Sequence, residues 1–548
     1  MKLVKSLMLG SAAGLIAMSG AQAADLPVKA KAVEYVRICS LYGAGFWYIP
    51  GTDTCIKIGG YLRVDSTYNG STVYDAPAYS GDAGQGNRFK DHFDSRSRLA
   101  LTVDTRTATE YGVVRTFGQG DFQFQNFGTS NPSVISAAPS VLGGLNNATL
   151  SSAGGGYVAV EYVFIQFAGF TFGKSSSAFA TPWNGYPGNN TSFLIGGHDT
   201  VTGVNNIQYQ AQFGNGVSAT VGLDDPTVFN RTPLYNLGLG VGAPFAGGVG
   251  SISGLVGSNA YGGFVMPDVV GNVRVDQAWG LFQVSGALHM VNASYNALGA
   301  GGTPLNSPAA GALSTSFNNS VLSGHPDDKL GGAVMLALQI KNLPTGPGDD
   351  FKIDGTWAKG DTKEVISTSG GSPSFAMLGG VPGQFGSSGS IAFGPTNDGV
   401  YLPTNPFTGS VLSGGDDKIH LTTAYGVRGA FNHNWDPYWS TSLWGGAGWV
   451  RFDNTGKSEF CAALGVALPG QGTTYSCDPN YTAAMAGVVT RWTPVKNFTF
   501  SAEVSWFHLS SSMSGFSTFS PGAPQPTQTW TFKDQDTMAL NVRVQRNF

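Results

Sequence analysis

Residues 168–175, "AGFTFGKS", come close to the phosphate-binding pattern G-x-x-x-x-G-K-[ST]. In such a loop, backbone N–H groups and the amino terminus of a following helix hold the phosphates. Here Ala168 occupies the first glycine position, the segment alternates as a strand, and the residues after it read as loop. The helix that phosphate needs is missing. The glycine-rich run at 238–250 lacks G-x-G-x-x-G spacing. Neither a G-x-S-x-G elbow nor an H-E-x-x-H helix occurs. The seven histidines, at 92, 198, 289, 325, 420, 433 and 508, are scattered singly. They suit ordinary loop or wall positions better than ligands or bases. No catalytic constellation, cofactor site or metal site is read from the chain. An enzyme would need a Ser–His pair assembled in space.

The charged residues carry a stronger signal. Arg63, Asp65, Arg96, Arg98, Asp104, Arg274, Asp276, Lys352, Asp354, Arg428 and Glu503 fall on the polar side of alternating segments. In "IKIGGYLRVD", Ile56, Ile58, Leu62 and Val64 share one face and Lys57, Tyr61, Arg63 and Asp65 the other. "RSRLALTVDTR", "FKIDGTWA" and "FTFSAEVSW" alternate in the same way. Successive strand residues point to opposite sides, so these are two-faced strands. The apolar face must meet either a second sheet or lipid. If it meets lipid, the charges have to face the interior, because Arg or Lys toward the bilayer midplane costs about 2–4 kcal/mol each. Arg63, Arg96 and Arg98 are placed at the narrowest ring. Reversing Arg96 and Arg98 to Glu is then expected to shift selectivity toward cations.

Bulk composition favours lipid. Charged residues are only 12% of the 548, against 41% hydrophobic, with 79 glycines; the usual charged share is about a quarter. Yet no run of 18 apolar residues follows the amino terminus, so helical spans are not expected. Residues 1–23 combine Lys2 and Lys5, an apolar run and Ala21-Gln22-Ala23, the pattern of a cleaved export signal. The formal charge of −4 provides no basic footprint for nucleic acid. Cys39 and Cys55, and Cys461 and Cys477, form two local pairs. Export makes each a disulfide candidate; the competing metal reading lacks zinc-ribbon spacing and nearby histidines.

The connections alternate between hairpin-sized turns, such as 213–216, 344–349 and 493–497, and long Gly/Ser/Asn/Pro-rich loops, such as 69–93, 129–156, 225–270, 362–417 and 454–480. Long structureless loops argue against a compact soluble domain. Short turns at one end and long loops at the other belong to outer-membrane barrels. Counting strands between the eight long loops yields 16, from 56–68 to 536–548. The expected fold is all-β: a closed 16-stranded antiparallel transmembrane β-barrel with short periplasmic turns and long extracellular loops. The organisation is a signal peptide at 1–23, a lead-in at 24–55 and the barrel at 56–548.

The stretches 42–65 ("YGAGFWYIPGTDTCIKIGGYLRVD"), 95–117, 164–179 and the terminal "ALNVRVQRNF" resemble the α-proteobacterial porins of the rhizobial and brucella type. The resemblance implies a homotrimer in the outer membrane, among lipid and lipopolysaccharide, passing small hydrophilic solutes and ions by passive diffusion. It implies a loop folded into the lumen, here 175–203, flanked by Lys174 and carrying the single acidic residue Asp199. It also implies that the last strand, ending on Phe548, is read by the outer-membrane assembly machinery. Met538 to Val544 are then lipid-facing, and Asn541 and Gln545 water-facing and tolerant of change. A substrate-selective channel, a barrel-embedded enzyme and a secreted β-rich adhesin are the rival readings.

Overall fold

A computed structural model describes residues 37–69, 93–125, 134–135, 149–150, 156–192, 194–199, 202–227, 231–237, 259–298, 318–319, 324–366, 374–380, 389–404, 415–468, 470–519 and 527–548. The export signal at 1–23 lies outside them. The chain divides into two compact units, Met1–Ile56 and Lys57–Phe548.

In the first unit, a two-residue strand, Trp47–Tyr48, pairs with Ile56 and Cys55. Cys39 and Cys55 are bonded and buried with Phe46. The Arg37 guanidinium lies 4.6 Å from the Tyr48 ring centroid, a cation–π contact.

The second unit is a barrel. Its wall strands are β1 (Thr54–Tyr68), β2 (Phe93–Thr109), β3 (Gly112–Gln125), β4 (Tyr157–Phe167), β5 (Phe170–Ser175), β6 (Val204–Gly214), β7 (Val217–Asp224) and β8 (Asp268–Gln277). There follow β9 (Gly280–Val291), β10 (Lys329–Lys341), β11 (Asp350–Lys359), β12 (Thr423–Asn434), β13 (Trp439–Arg451), β14 (Tyr481–Val495), β15 (Phe498–Ser511) and β16 (Gln535–Asn547). Each pairs with its sequence neighbours, and β16 returns to β1 through Tyr61↔Asn547 to Tyr68↔Leu540. Phe548 completes the seam: its N–H donates to Gly60 O at 3.1 Å and its carbonyl accepts from Gly60 N at 3.2 Å. Closure removes the sheet edges, so every strand backbone finds a partner without water.

The wall alternates as the sequence predicts. On β16, Met538, Leu540 and Val542 are exposed while Ala539, Asn541 and Arg543 are buried. Aromatics gather near both rims of the outer face. Trp357, Tyr425 and Trp449 stand in register on β11–β13, and Trp439, Trp492 and Phe500 on β13–β15. Such girdles seat a barrel at the two bilayer interfaces.

Among the described residues, parts of the long loops form regular elements. Residues 454–467 form a helix, α1 (Asn454–Ala467), which the sequence reading had as loop. Asp453 caps it, accepting from Gly456 N at 2.7 Å, as an Asp N-cap does. Short strands at 375–380, 389–394, 475–476, 514–519 and 528–532 join loops from three connections into one sheet. Low hydrophobic periodicity over two to six residues hides such pieces from sequence. The expected Cys461–Cys477 bridge is present and ties α1 to residue 477. Closing about 15 residues stabilises by about 3 kcal/mol in the chain-entropy account. Cys461→Ser with Cys477→Ser should therefore lower the thermal midpoint of the folded barrel and speed proteolysis within 454–480. An unchanged midpoint and digestion pattern would remove the bridge from the stability of this loop.

Candidate functional site: the barrel interior

The segment between β5 and β6 turns into the barrel and runs along the inner wall. The Asn272 and Gln283 side chains on β8 and β9 donate to Ala178 O at 2.5 Å and Ala180 O at 2.8 Å. Trp183 Nε1 donates to Asp354 Oδ2 at 2.8 Å. Lys352 on β11 and Asn432 on β12 donate to Pro187 O at 3.2 and 2.9 Å, and Arg491 on β14 donates to Gly188 O at 2.5 Å. Glu503 on β15 accepts from Asn190 N at 2.6 Å and Thr191 N at 3.0 Å. Arg428 Nε meets Asp354 Oδ1 at 2.9 Å, while its Nη atoms donate to the carbonyls of Leu194, Gly197 and His198. One planar guanidinium thereby fixes a wall carboxylate and three inserted carbonyls.

Glycines let the segment come this close. Gly196 has φ +104°, and a Cβ there would lie 2.5 Å from Val427 O. On the wall, a Cβ at Gly446 would lie 2.3 Å from Ile195 O. No side chain fits at either position. A second inserted piece, Asp361–Ile366, packs against the first. Gly196 N donates to Val365 O at 2.9 Å, and His198 contacts Glu364. Burial holds His198 down at about 4, pulls Lys363 down to about 8 and pushes Glu364 up to about 8; each neutral form is favoured where water is excluded.

The opposite wall carries the charges of β1–β4 and β16. Asp65 accepts from Arg96 and from Arg543, both at 2.6 Å. Arg98 reaches Asp121 at 2.8 Å and Glu161 at 3.3 Å, and bonds Tyr61 Oη at 3.2 Å. Arg63 Nε donates to Gln545 Oε1 at 2.8 Å, stacks over Tyr61 and is partly buried. Asp104 binds Arg106 and Arg115 near the short-turn end. Arg274 donates to Gln283 at 2.8 Å.

The structure corrects the sequence reading in four places. Lys174 shares the face of Phe170 and Phe172, which is outward, and its ammonium donates to the carbonyls of Val160, Glu161 and Thr202. Arg96 and Arg98 do not face open water. They are 2% and 5% exposed and committed to carboxylates, so reversing both would set new carboxylates beside Asp65, Asp121 and Glu161. Asp199 is buried with the inserted segment at 1% exposure. Asn541 is not a free water-facing position, because its Nδ2 donates to Thr67 Oγ1 at 2.9 Å. Sequence reasoning also missed Asp121, Glu161 and Arg491 as interior residues, although each obeys the same alternation.

A closed barrel with an apolar outer belt, aromatic rims and charges turned inward is an outer-membrane transmembrane β-barrel. The chain belongs to the porin family: the family described as "Porin subfamily" matches residues 25–541. It is similar to Porin Omp2b of Brucella abortus (strain 2308), 36% identical over 267 residues, which cover 46% of this chain and 65% of that one. Porin Omp2b of Brucella suis biovar 1 (strain 1330) matches to the same extent. The matched region thus spans slightly under two thirds of the length of these relatives. Among solved structures, the outer membrane channel DcaP of Acinetobacter baumannii aligns over 91% of this chain and 99% of its own, with TM-score 0.51 and 12% identity. That likeness shows the fold alone.

Proposed function

We propose that this protein is a diffusion channel, admitting small hydrophilic solutes and ions down their gradients without a chemical step. One observation carries the reading. The segment 176–199 is fastened to inward side chains of β8, β9, β11, β12, β14 and β15, while Tyr61, Arg63, Gln119 and Tyr157 on the facing wall keep partial exposure. We read the passage as lying between the two, with Asp65, Arg96, Arg98, Asp354, Arg428 and Glu503 as the frame that shapes it. Lys352 and Arg274 supply further inward charge. Membership of the porin family supports this reading, and with it a homotrimer bathed in lipid and lipopolysaccharide and inserted by the assembly machinery through the strand ending in Phe548.

Planar-bilayer recording tests the proposal. The purified protein should form stable ohmic channels, and Arg63→Glu should move the reversal potential in a salt gradient toward cation preference. Arg63 suits this test because its loss leaves Asp65 paired to Arg96 and Arg543. Absence of channels would reject the diffusion reading. An unchanged reversal potential would move the passage away from Arg63.

A further inference from the structure

At the long-loop end, the chain entering β12 lies beside α1. Asp416, His420 and Glu459 each offer a ligand atom there, and the three atoms lie within 4.8 Å of one another. His420 Nε2 faces Asp416 Oδ1 at 3.0 Å. Its other nitrogen, Nδ1, lies 3.2 Å from Asp453 Oδ2. Asp453 is itself fixed as the α1 N-cap. A carboxylate on one imidazole nitrogen, with the other nitrogen turned into a cluster of oxygens, is the arrangement that orients histidine toward a metal.

Glu459 supplies the second observation. It is 6% exposed. Its Oε1 accepts from Asp416 N at 3.3 Å, whereas its Oε2 is buried and has no hydrogen-bond partner. A buried carboxylate oxygen left unsatisfied is costly. Asp416 carries two further contacts, from Lys418 N at 3.1 Å and from the exposed Lys418 ammonium at 3.8 Å. The ammonium is 65% exposed and free to swing into solvent.

We propose that Asp416, His420 and Glu459 form a binding site for a first-row divalent cation such as Zn²⁺. One imidazole nitrogen and two carboxylates suit zinc, with water completing a tetrahedral shell. Calcium prefers six to eight oxygens, which this cluster does not supply. Ligands about 2.1 Å from one tetrahedral ion lie about 3.4 Å apart, so side-chain rotation has a short distance to close. The bound ion would clip the entry to β12 onto α1, on a helix already tied through Cys461 to Cys477. The sequence reading missed the site because Glu459 reaches Asp416 and His420 only through α1, a helix that the sequence reading had as loop.

The test is calorimetric titration of Zn²⁺ into the full chain, purified in detergent without a histidine tag and stripped with a chelator. One Zn²⁺ should bind per chain. His420→Ala and Glu459→Gln should each weaken binding at least tenfold, and Asp453→Asn about tenfold through loss of the orienting contact. Ca²⁺ should give no saturable heat. Co²⁺ should give visible bands of tetrahedral intensity in the parent, absent in Glu459→Gln, whose near-isosteric side chain preserves packing if His420→Ala folds poorly. No saturable Zn²⁺ binding, or the same affinity in parent and Glu459→Gln, would overturn the proposal. These readouts are independent of conduction.

Discussion

Arg428→Ala is expected to destabilise the barrel by about 3–5 kcal/mol, the usual cost of removing one partner from a buried ion pair. Arg428 and Asp354 are 1% exposed, and Nε to Oδ1 is 2.9 Å. The substitution strands the Asp354 carboxylate with Trp183 Nε1 as its remaining donor among the contacts described above. It also releases the carbonyls of Leu194, Gly197 and His198. The inserted segment should loosen as a unit, because Arg428 holds its later half as Glu503 holds its middle. Two readings check this: a lower midpoint of denaturant unfolding in micelles, and larger, noisier single-channel currents. Arg428→Lys should recover only part of the loss, since one ammonium cannot match a fork that serves Asp354 and three carbonyls at once. A midpoint and current trace equal to those of the parent would show that the segment is held elsewhere.

Val542→Arg should deplete folded protein in the outer membrane. Val542 is 45% exposed on the outward face of β16, between Leu540 and Val544, and pairs with Ser66 across the seam that closes the barrel. A guanidinium there enters hydrocarbon at about 2–4 kcal/mol near the midplane. Val542→Leu, which keeps the face apolar, is the control. Deleting Phe548 removes both seam hydrogen bonds to Gly60 along with the terminal aromatic. Asn541→Ser is expected to cost about 1 kcal/mol through the bond to Thr67, well below the loss from Val542→Arg. Heat-modifiable protein in outer-membrane fractions measures all four. Equal amounts for Val542→Arg and Val542→Leu would contradict the outward assignment of this face.

The wall of this protein was determined by local chemistry. Alternation of apolar and polar residues, turn-forming punctuation and the absence of long apolar runs specify two-faced strands, and an even set of such strands in lipid must close. The observed first and last strands, Thr54–Tyr68 and Gln535–Asn547, lie within two residues of the read 56–68 and 536–548 because period-2 patterning is a property of consecutive residues. The facing of Asp65, Asp354, Arg428 and Glu503 follows from the same parity. Lys174 escaped it: a lysine beside an apparent loop invites an interior role, yet its parity in β5 with Phe170 and Phe172 turns it outward.

The interior was decided by tertiary structure. Which charge meets which depends on barrel register, which sets Arg96 and Arg543 on the two sides of Asp65 although 447 positions separate them in the chain. The path of 176–199 depends on gaps left by wall glycines, on donors from β8, β9, β11, β12 and β14 and on the Glu503 carboxylate of β15, all far from the segment in sequence. The meeting of Asp416, His420 and Glu459 depends on a helix that no strong periodicity announces. Alternation tells a side chain which way to face; only the closed sheet and the segments folded into it tell that side chain what it will find there.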